Sequence, residues 1–527
     1  MPECVRETEN VERRTYKKSA IILGITLAIT LCLLVVMSTL YFSLRACIDY
    51  WQRCRQLTAE VIVDANDSIG SLNPNIYGHF IEHIDACIYN GVWVGEGSSI
   101  PNDGGLRIDI LNATKDMKAP IVRWPGGCFA DTYHWKNGIG PSAQRPELPN
   151  EHWGGMETNQ FGTDEFIDFC KKANAEPYIV VNVGNGTAQE AADWVAYCNS
   201  KEGAWAQNRT DNGHPEPFNV TFWGLGNELY GEWEKGYMTA SEYAHKAVEF
   251  AQAMRNANSS ISIQLIAAGW DEDEAWNREV LEVAGQHIDY LSIHKYYDWT
   301  NYYDVVAYPL DAENRFKDVS SLIDETTGEN TIKIAFDEWN LRWDPWWSPK
   351  ASEFLEDGLF AAGIFNVLQR RCNNVTMANL AQLVNLPGLA APLFISDQET
   401  LQKTPVYRAF QLYAENTGDI ALKTTTTVDG YMCYGIGETP FLDCAATIDN
   451  TRETLYLAAI NRHKTHQIKC EIELKDFDAA PQYEVHELSS EQSGITSRSE
   501  HLDSNPFSYT FPPRSVTILK LMVNSSS

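Results

Sequence analysis

Residues 221–231 read TFWGLGNELYG, and residues 332–340 read IKIAFDEWN. Each is a short apolar run that stops abruptly at a polar pair, Asn227–Glu228 in the first and Asp337–Glu338 in the second. The length suits a buried strand rather than a helix, and a strand that runs out into carboxylates is what the open end of a parallel barrel presents. Similar runs lie at 76–80, 121–124, 178–183, 262–267, 290–294 and 377–383. Helical spacing occupies the intervals, as at 163–173, 188–198, 241–256 and 353–371. Eight alternations over about 320 residues predict an α/β fold, a (β/α)8 TIM barrel spanning residues 73–400. No Gly-rich dinucleotide fingerprint follows the first strand, which argues against an open doubly wound sheet.

Beyond Pro405 the texture changes. TTTTVDGYMCYGI, TLYLAAINR, QIKCEIELK, YEVHEL and SVTILKLMV are alternating or β-branched and are bounded by Gly, Asn, Asp and Pro. They predict a β-sandwich over 401–527, to which residues 57–65, at the end of a polar stem (45–72), add a first strand.

The N-terminal region is of another kind. Residues 19–44 carry no charge over 26 positions. As a helix they would span roughly 39 Å, against a hydrocarbon core of ~30 Å, so they read as one transmembrane helix. The run exceeds the apolar core of a cleaved signal, about 7 to 15 residues, and no small-residue cleavage site follows, which favours an uncleaved anchor. Arg13, Arg14, Lys17 and Lys18 precede it and Arg45, Arg53 and Arg55 follow. That bias puts residues 1–18 on the cytoplasmic side and the remainder in the lumen or outside the cell, with a secreted form if the anchor is cut. Sequons at Asn66, Asn112, Asn185, Asn208, Asn219, Asn258, Asn374 and Asn524 all lie beyond the span. The twelve cysteines include no CxxC pair, so neither a zinc site nor a disulfide framework is expected, though a few bridges, for example among Cys433, Cys444 and Cys470, would suit an oxidising compartment.

Acidic residues outnumber basic ones by 71 to 41, for a net charge of -30. Such a surface repels the phosphates of nucleic acid, and a neutral substrate fits better. Two glutamates facing across a barrel mouth, Glu228 and Glu338, can divide glycoside cleavage into two displacements, one acting as acid then base, the other as nucleophile. Asn227 can donate to a sugar hydroxyl, or can simply turn the chain after Gly226. His294 and Tyr296 end the sixth strand in LSIHKYY, where a phenol can orient the nucleophile and hold it ionised, or the two can be a buried aromatic pair. Arg123, in VRWPGG, can likewise keep Glu338 charged or plug the barrel floor in an ion pair. Trp153 and the Trp343, Trp346 and Trp347 group offer flat faces for a sugar ring. His79–His83 spells HFIEH, an inverted zinc-peptidase pattern, but it follows a β-branched run and reads as a strand end rather than as one helix face.

NIYGHFIEH, VRWPGGCFADTYHWKNGIGP, ETNQFGTDEF, WGLGNELYG, LSIHKYY, IAFDEWN and NLAQLVN, in that order, resemble the α-L-arabinofuranosidases of glycoside hydrolase family 51, from about Asn73 to the C-terminus. The resemblance implies a retaining, exo-acting hydrolase with no cofactor and no metal, acting on arabinose-containing polysaccharides or oligosaccharides. It makes Glu228 the acid/base and Glu338 the nucleophile, and it assigns sugar binding to Glu82, Asn227, His294, Tyr296 and Gln382. Apart from the resemblance, WDPWW, kept out of a helix by Pro345 and Pro349, makes Trp346 the tryptophan favoured for a sugar contact. Where many members have Asn after PGG, this chain has Cys128, a weak donor that bears on fine specificity rather than on the reaction. A β-xylosidase or endoglucanase on the same barrel, or a membrane-tethered sugar-binding protein without catalysis, would share the carboxylates or the fold. The resemblance leaves a homo-oligomer open.

Overall fold

The computed structural model describes residues 57–527 except 258, 330, 344–353, 385–387, 397–399, 490–493 and 525–527, together with seven helical positions between Thr30 and Tyr41. The anchor expected at 19–44 otherwise lies outside the described residues. Among the described residues no helix is long and apolar enough to cross a membrane. Residues 58–527 form one compact unit.

Eight parallel strands close into a barrel in simple chain order: β1 (Gly78–Phe80), β2 (Ile121–Trp124), β3 (Glu176–Val181), β4 (Phe222–Leu225), β5 (Gln264–Ala268), β6 (Tyr290–Asp298), β7 (Lys333–Arg342) and β8 (Val375–Ala381). Each is followed by a helix, α1 (Ile108–Asp116), α2 (Thr163–Ala173), α3 (Ala188–Asn199), α4 (Ala240–Arg255), α5 (Glu274–Ala284), α6 (Tyr302–Thr327), α7 (Leu355–Arg370) and α8 (Pro405–Glu415). The barrel is expected from the alternation, but its first strand is shorter than the apolar run at 76–80. Pro74–Tyr77 winds as a 3-10 turn because Pro74 follows the Asn73 cap, whose side chain accepts from Asn75 N.

Pro405 does not begin the sheet domain. Thr404 accepts from Tyr407 N, Pro405 takes the first helical turn, and Val406, Tyr407, Ala409, Phe410, Leu412 and Tyr413 are buried at helical spacing, so the eighth helix of the barrel runs to Glu415. The sheet begins at Ile420.

The C-terminal domain is one nine-stranded sheet rather than two separate ones. Its strands run in the order Thr496–His501, Ala479–Ser489, Ser515–Val523, Thr454–Asn461, Leu442–Ile448, Ile420–Val428, Leu57–Ser71, Ile468–Lys475 and Phe507–Phe511. The sheet folds over so that Thr454–Asn461 touches the edge strand Phe507–Phe511 across the interior, where Val61, Leu457, Ile472 and Phe511 are all fully buried. Strand Leu442–Ile448 packs on α7. At that junction Asp443 pairs with Arg370 at 3.1 Å and Arg462 at 3.3 Å, and Arg370 also holds Glu313 of α6 at 2.9 Å. Burial alone would raise the Asp443 carboxyl, but the two guanidiniums and Asn366 hold it below the ordinary range.

The lower barrel is filled by Ile121, Tyr178, Val180, Phe222, Ile266, Tyr290, Ala335 and Met377, most of them wholly buried. Above that plug, polar side chains meet at the C-terminal strand ends. Tyr243 of α4 ties two of those ends together: its hydroxyl donates to Leu225 O at 2.8 Å and accepts from Ala268 N at 2.6 Å. Replacing Tyr243 by Phe leaves a buried carbonyl and a buried amide unpaired and is expected to cost about 2 to 4 kcal/mol. Equilibrium unfolding of the variant checks this; an unchanged midpoint would contradict it.

Candidate active site

The side chains expected at the site come together at the top of the barrel, in a cavity of about 450 Å³ lined by Glu82, Cys128, Trp153, Glu228, His294, Tyr296, Glu338 and Gln382 among others. Glu338 sits within β7, not after it. In the register with β6, Ser292 faces Ala335 and His294 faces Glu338, and in the register with β8, Phe336 faces Ala378 and Trp339 faces Leu380. Both neighbours thus find one extra residue in β7 near Asp337, a β-bulge. Its consequence is that Asp337 and Glu338, although consecutive, both turn into the barrel. Alternation from the inward Ala335 turns Asp337 inward and would send Glu338 outward; the bulge brings Glu338 in beside it, and a bulge leaves no periodic trace in the sequence.

Arg123 lies beneath these groups, 1% exposed. Its guanidinium donates to Glu338 Oε2 at 2.8 Å and to Asn227 Oδ1 at 2.7 Å, and its Nε lies 3.6 Å from Asp337 Oδ2. The PGG turn after β2 permits the approach: a Cβ on Gly127 would stand 3.0 Å from Glu338 Oε2 and 3.4 Å from Asn227 Nδ2. Tyr296 donates to Glu338 Oε1 at 2.6 Å. The His294 ring lies between carboxylates, its Nδ1 at 2.8 Å from Glu228 Oε1 and 3.5 Å from Glu338 Oε2, its Nε2 at 3.4 Å from Asp337 Oδ1. Glu228, His294 and Glu338 each place one polar atom within 4.8 Å of the other two. Trp233 donates to the second oxygen of Glu228 at 3.0 Å.

The electrostatics follow from that geometry. Burial works against the His294 cation, but Glu338, Asp337 and Glu228 outweigh it and lift the imidazole from 6.5 to about 10. Burial would raise Asp337, yet Arg123 and His294 draw it down to about 2. For Glu228 burial is again opposed, by the hydrogen bond and charge of His294 and by Trp233, and the carboxyl settles below its ordinary value.

Glu82 forms the inner wall. Its Oε1 accepts from Gly127 N, Phe129 N and Trp153 Nε1 at 3.1, 3.2 and 3.0 Å, and its Oε2 accepts from Gln382 Nε2 at 3.1 Å. Burial first, then the Glu338 charge, raises Glu82 to about 7. Asn227 is gripped from both sides, since its Nδ2 donates to Glu234 Oε1 at 3.0 Å and its backbone N to Asp131 Oδ2 at 2.8 Å. Asp131, Glu234, Trp233 and Trp270 were not among the expected residues; NELYGEWEK carries Trp233 and Glu234 in plain sight, but nothing in its spacing separates them from ordinary loop residues.

Among the tryptophans, Trp153 reaches the cavity and is 38% exposed. Trp343 instead stacks on Trp299 at 4.2 Å and on Phe354 at 4.9 Å, 9% exposed, and serves packing. Trp346 and Trp347 lie outside the described residues. The HFIEH histidines do not converge: His79 lies tilted against Phe410 with ring centroids 4.3 Å apart, whereas His83 accepts from Trp124 Nε1 at 3.0 Å and bonds Glu157 through Nδ1 at 2.8 Å. Cys433, Cys444 and Cys470 are free thiols, as are the other described cysteines.

Family models described as the α-L-arabinofuranosidase 1 domain and the α-L-arabinofuranosidase C-terminal domain match residues 113–315 and 337–515. A probable α-L-arabinofuranosidase C of Aspergillus fumigatus is 35% identical over 450 residues, covering 79% of this chain and 87% of its own. The chain belongs to the α-L-arabinofuranosidases of glycoside hydrolase family 51. An intracellular exo-α-L-arabinofuranosidase of Bacteroides ovatus is 34% identical over 381 residues, 68% of this chain and 73% of its own. The crystal structure of the family 51 enzyme of Thermotoga petrophila superposes with a TM-score of 0.81 at 37% identity, over 88% of this chain and all of that one.

The rise of the His294 imidazole among its carboxylates should show in the stability of the protein. With a folded pKa of about 10 against 6.5, the imidazole's contribution is complete below pH 6.5 and is lost as pH rises through 10. In that window His294→Gln should be less stable than the parent at the acid end, with a slope shallower by about 1.4 kcal/mol per pH unit. Denaturant unfolding at a series of pH values reads both slopes, and parallel slopes would refute the assignment of this proton.

Proposed function

We propose that this chain is a retaining, exo-acting α-L-arabinofuranosidase that releases terminal non-reducing arabinofuranosyl residues from arabinose-containing polysaccharides or oligosaccharides, with Glu338 as nucleophile and Glu228 as acid/base. The observation that carries the reading is the imidazole shared by two glutamates whose nearest oxygens are within 4.8 Å. Carboxyls this close leave no room for a water between nucleophile and sugar, which favours double displacement with retention, for which about 5 to 5.5 Å is usual.

In the first step the Glu338 carboxylate attacks the anomeric carbon and forms an ester as the glycosidic C–O bond breaks, and Glu228 gives its proton to the departing oxygen. In the second, Glu228 takes a proton from water, the water oxygen bonds the anomeric carbon, and Glu338 leaves as carboxylate. The hydrogen bonds from Arg123 and Tyr296, one to each Glu338 oxygen, support Glu338 as the group held in place for attack. Glu82, Cys128, Asn227, His294, Tyr296 and Gln382 bind the sugar, Trp153 covers it, and Arg123 and Tyr296 position the nucleophile. The buried Glu82 and Gln382 at the inner wall support recognition of one terminal sugar rather than of a running chain.

Residues 19–44 anchor the enzyme in a membrane in the same proposal, with the catalytic unit lumenal or extracellular; the uncharged run and its basic flank support it. Retention of the full chain in the membrane pellet after alkaline extraction is expected, and its release would remove the anchor from the reading.

Hydrolysis of aryl glycosides tests the activity. The α-L-arabinofuranoside should be preferred over the β-D-xyloside, β-D-glucoside and β-D-galactoside; preference for another sugar would overturn the substrate. Glu338→Ala should lower kcat by more than about 10⁴-fold on every substrate. Glu228→Ala should impair substrates with poor leaving groups by about 10² to 10⁴-fold, spare activated aryl glycosides, and recover rate with azide. Equal losses on both kinds of substrate with no effect of azide would remove Glu228 as acid/base.

A further inference from the structure

A second cluster stands beside the two glutamates and takes no part in the proposed reaction as a unit. Cys128, His152 and Glu234 each offer one ligand atom, and those atoms lie within 4.8 Å of one another. Cys128 comes from the turn after β2, His152 from the loop that carries Trp153, and Glu234 from the loop after β4. His152 Nδ1 and Glu234 Oε2 are 3.9 Å apart, on side chains 10% and 0% exposed. Neither atom has a nitrogen or oxygen hydrogen-bond partner among the described residues, although both are buried. Glu234 has only the weak sulfur donor of Cys128 on that side and His152 Nδ1 has none, a costly arrangement unless something binds there.

The cluster is also held in place from outside. The other Glu234 oxygen is fixed by Asn227 Nδ2 at 3.0 Å. The His152 turn is fixed by Asn150, whose Oδ1 accepts from the backbone N of His152 and Trp153 at 3.3 and 2.9 Å and whose Nδ2 donates to His83 O at 3.0 Å.

We infer that Cys128, His152 and Glu234 form a binding site for a zinc-class divalent cation that reversibly inhibits the enzyme. One thiolate, one imidazole and one carboxylate with a fourth position open is a zinc ligand set, and the sulfur and nitrogen donors select against Ca²⁺ and Mg²⁺. Zinc bonds of about 2.0 to 2.3 Å need donor separations a few tenths of an ångström shorter than the 3.9 Å seen between His152 and Glu234, a closure within reach of a loop side chain. On binding, the Cys128 thiol and the Glu234 carboxyl, which burial and the Asp131 charge raise to about 9, each release a proton to solvent as the sulfur–metal and oxygen–metal bonds form, so affinity rises with pH. Inhibition follows from place: Cys128 and Trp153 line the same cavity as Glu228 and Glu338, so the ion takes the thiol from the sugar wall and fixes the tryptophan beside its ligand His152.

The full chain, stripped by chelator, tests this with ZnCl₂ and CoCl₂ as probes. We expect one zinc per chain by equilibrium dialysis, a rise in KM for the aryl arabinofuranoside that chelator reverses, and a near-ultraviolet thiolate-to-cobalt charge-transfer absorption with Co²⁺. His152→Ala, and His152→Gln in which the turn is filled, should keep metal-free activity, bind zinc at least tenfold more weakly, and escape inhibition. A cobalt complex without the thiolate absorption overturns the site, and so does unchanged zinc binding in the folded His152 variants, which would send the ion to the Glu228, His294 and Glu338 group instead. The absorption and dialysis readouts do not depend on which glycoside is cleaved.

Discussion

The architecture of the site depends on one buried cation. Arg123 is 1% exposed, and a guanidinium taken that far out of water costs several kcal/mol unless its acceptors are in place. It finds them on β7, through Glu338 and Asp337, and after β4, through Asn227. Its plane lies 4.6 Å from the Phe80 ring of β1 and 5.9 Å from the Tyr178 ring of β3. One side chain therefore registers five strands of the barrel against each other, and losing any one acceptor would strand the charge. The same bonds that make the ion pair tolerable fix where the Glu338 oxygens point.

The bulge in β7 supplies the second half of that arrangement. Without it Glu338 would face the helices and Arg123 would have only Asp337 beside it. Asp337 in turn receives Tyr178 OH at 2.6 Å and Ser292 Oγ at 2.6 Å and stands 3.4 Å from His294 Nε2. The local charge is then two cations, Arg123 and His294, against three carboxylates, Asp337, Glu338 and Glu228. The three carboxylates, opposed only by Arg123, are what lift His294 to about 10 against its burial.

Much of this was legible in the sequence. The apolar runs marked the eight strands because buried parallel strands need apolar faces on both sides, and the carboxylates at 228 and 338 stood out because they end such runs. Helices with regular amphipathic spacing, such as α2 and α3, were read nearly to their ends. α6 was not, since Pro309 interrupts its pattern inside the helix. α8 was absorbed into the sheet region because a Pro at its first turn looks like a boundary from either side. The role of Arg123 stayed open between a charge partner and a floor plug, and the fold makes it both. Glu234 and Asp131 were not legible, because two loop crossings decide where they point, and Asp337 was passed over beside Glu338 because the bulge that brings Glu338 in next to it leaves no periodic trace.

The remaining step concerns the proton of the proposed acid. In the free site Glu228 is held below its ordinary value, an awkward state for a group that must give a proton. The largest opposing influence is the His294 hydrogen bond at 2.8 Å, and His294 itself is held protonated first by Glu338. Groups this close titrate together, so the proton belongs to the His294–Glu228 pair rather than to either member. In the proposed reaction, attack by Glu338 moves its charge into the ester bond, and the support it gave to the His294 proton disappears with it. The proton is then least well held when the departing oxygen needs it, and Glu228, bonded to His294 on one oxygen and to Trp233 on the other, is the group through which it can leave. When water later displaces the sugar, the Glu338 charge returns and with it the electrostatic reason for the pair to take a proton back. The proposed nucleophile and acid are thus coupled through the imidazole, so that the charge lost in one half of the reaction and restored in the other governs when the pair gives up and retakes its proton.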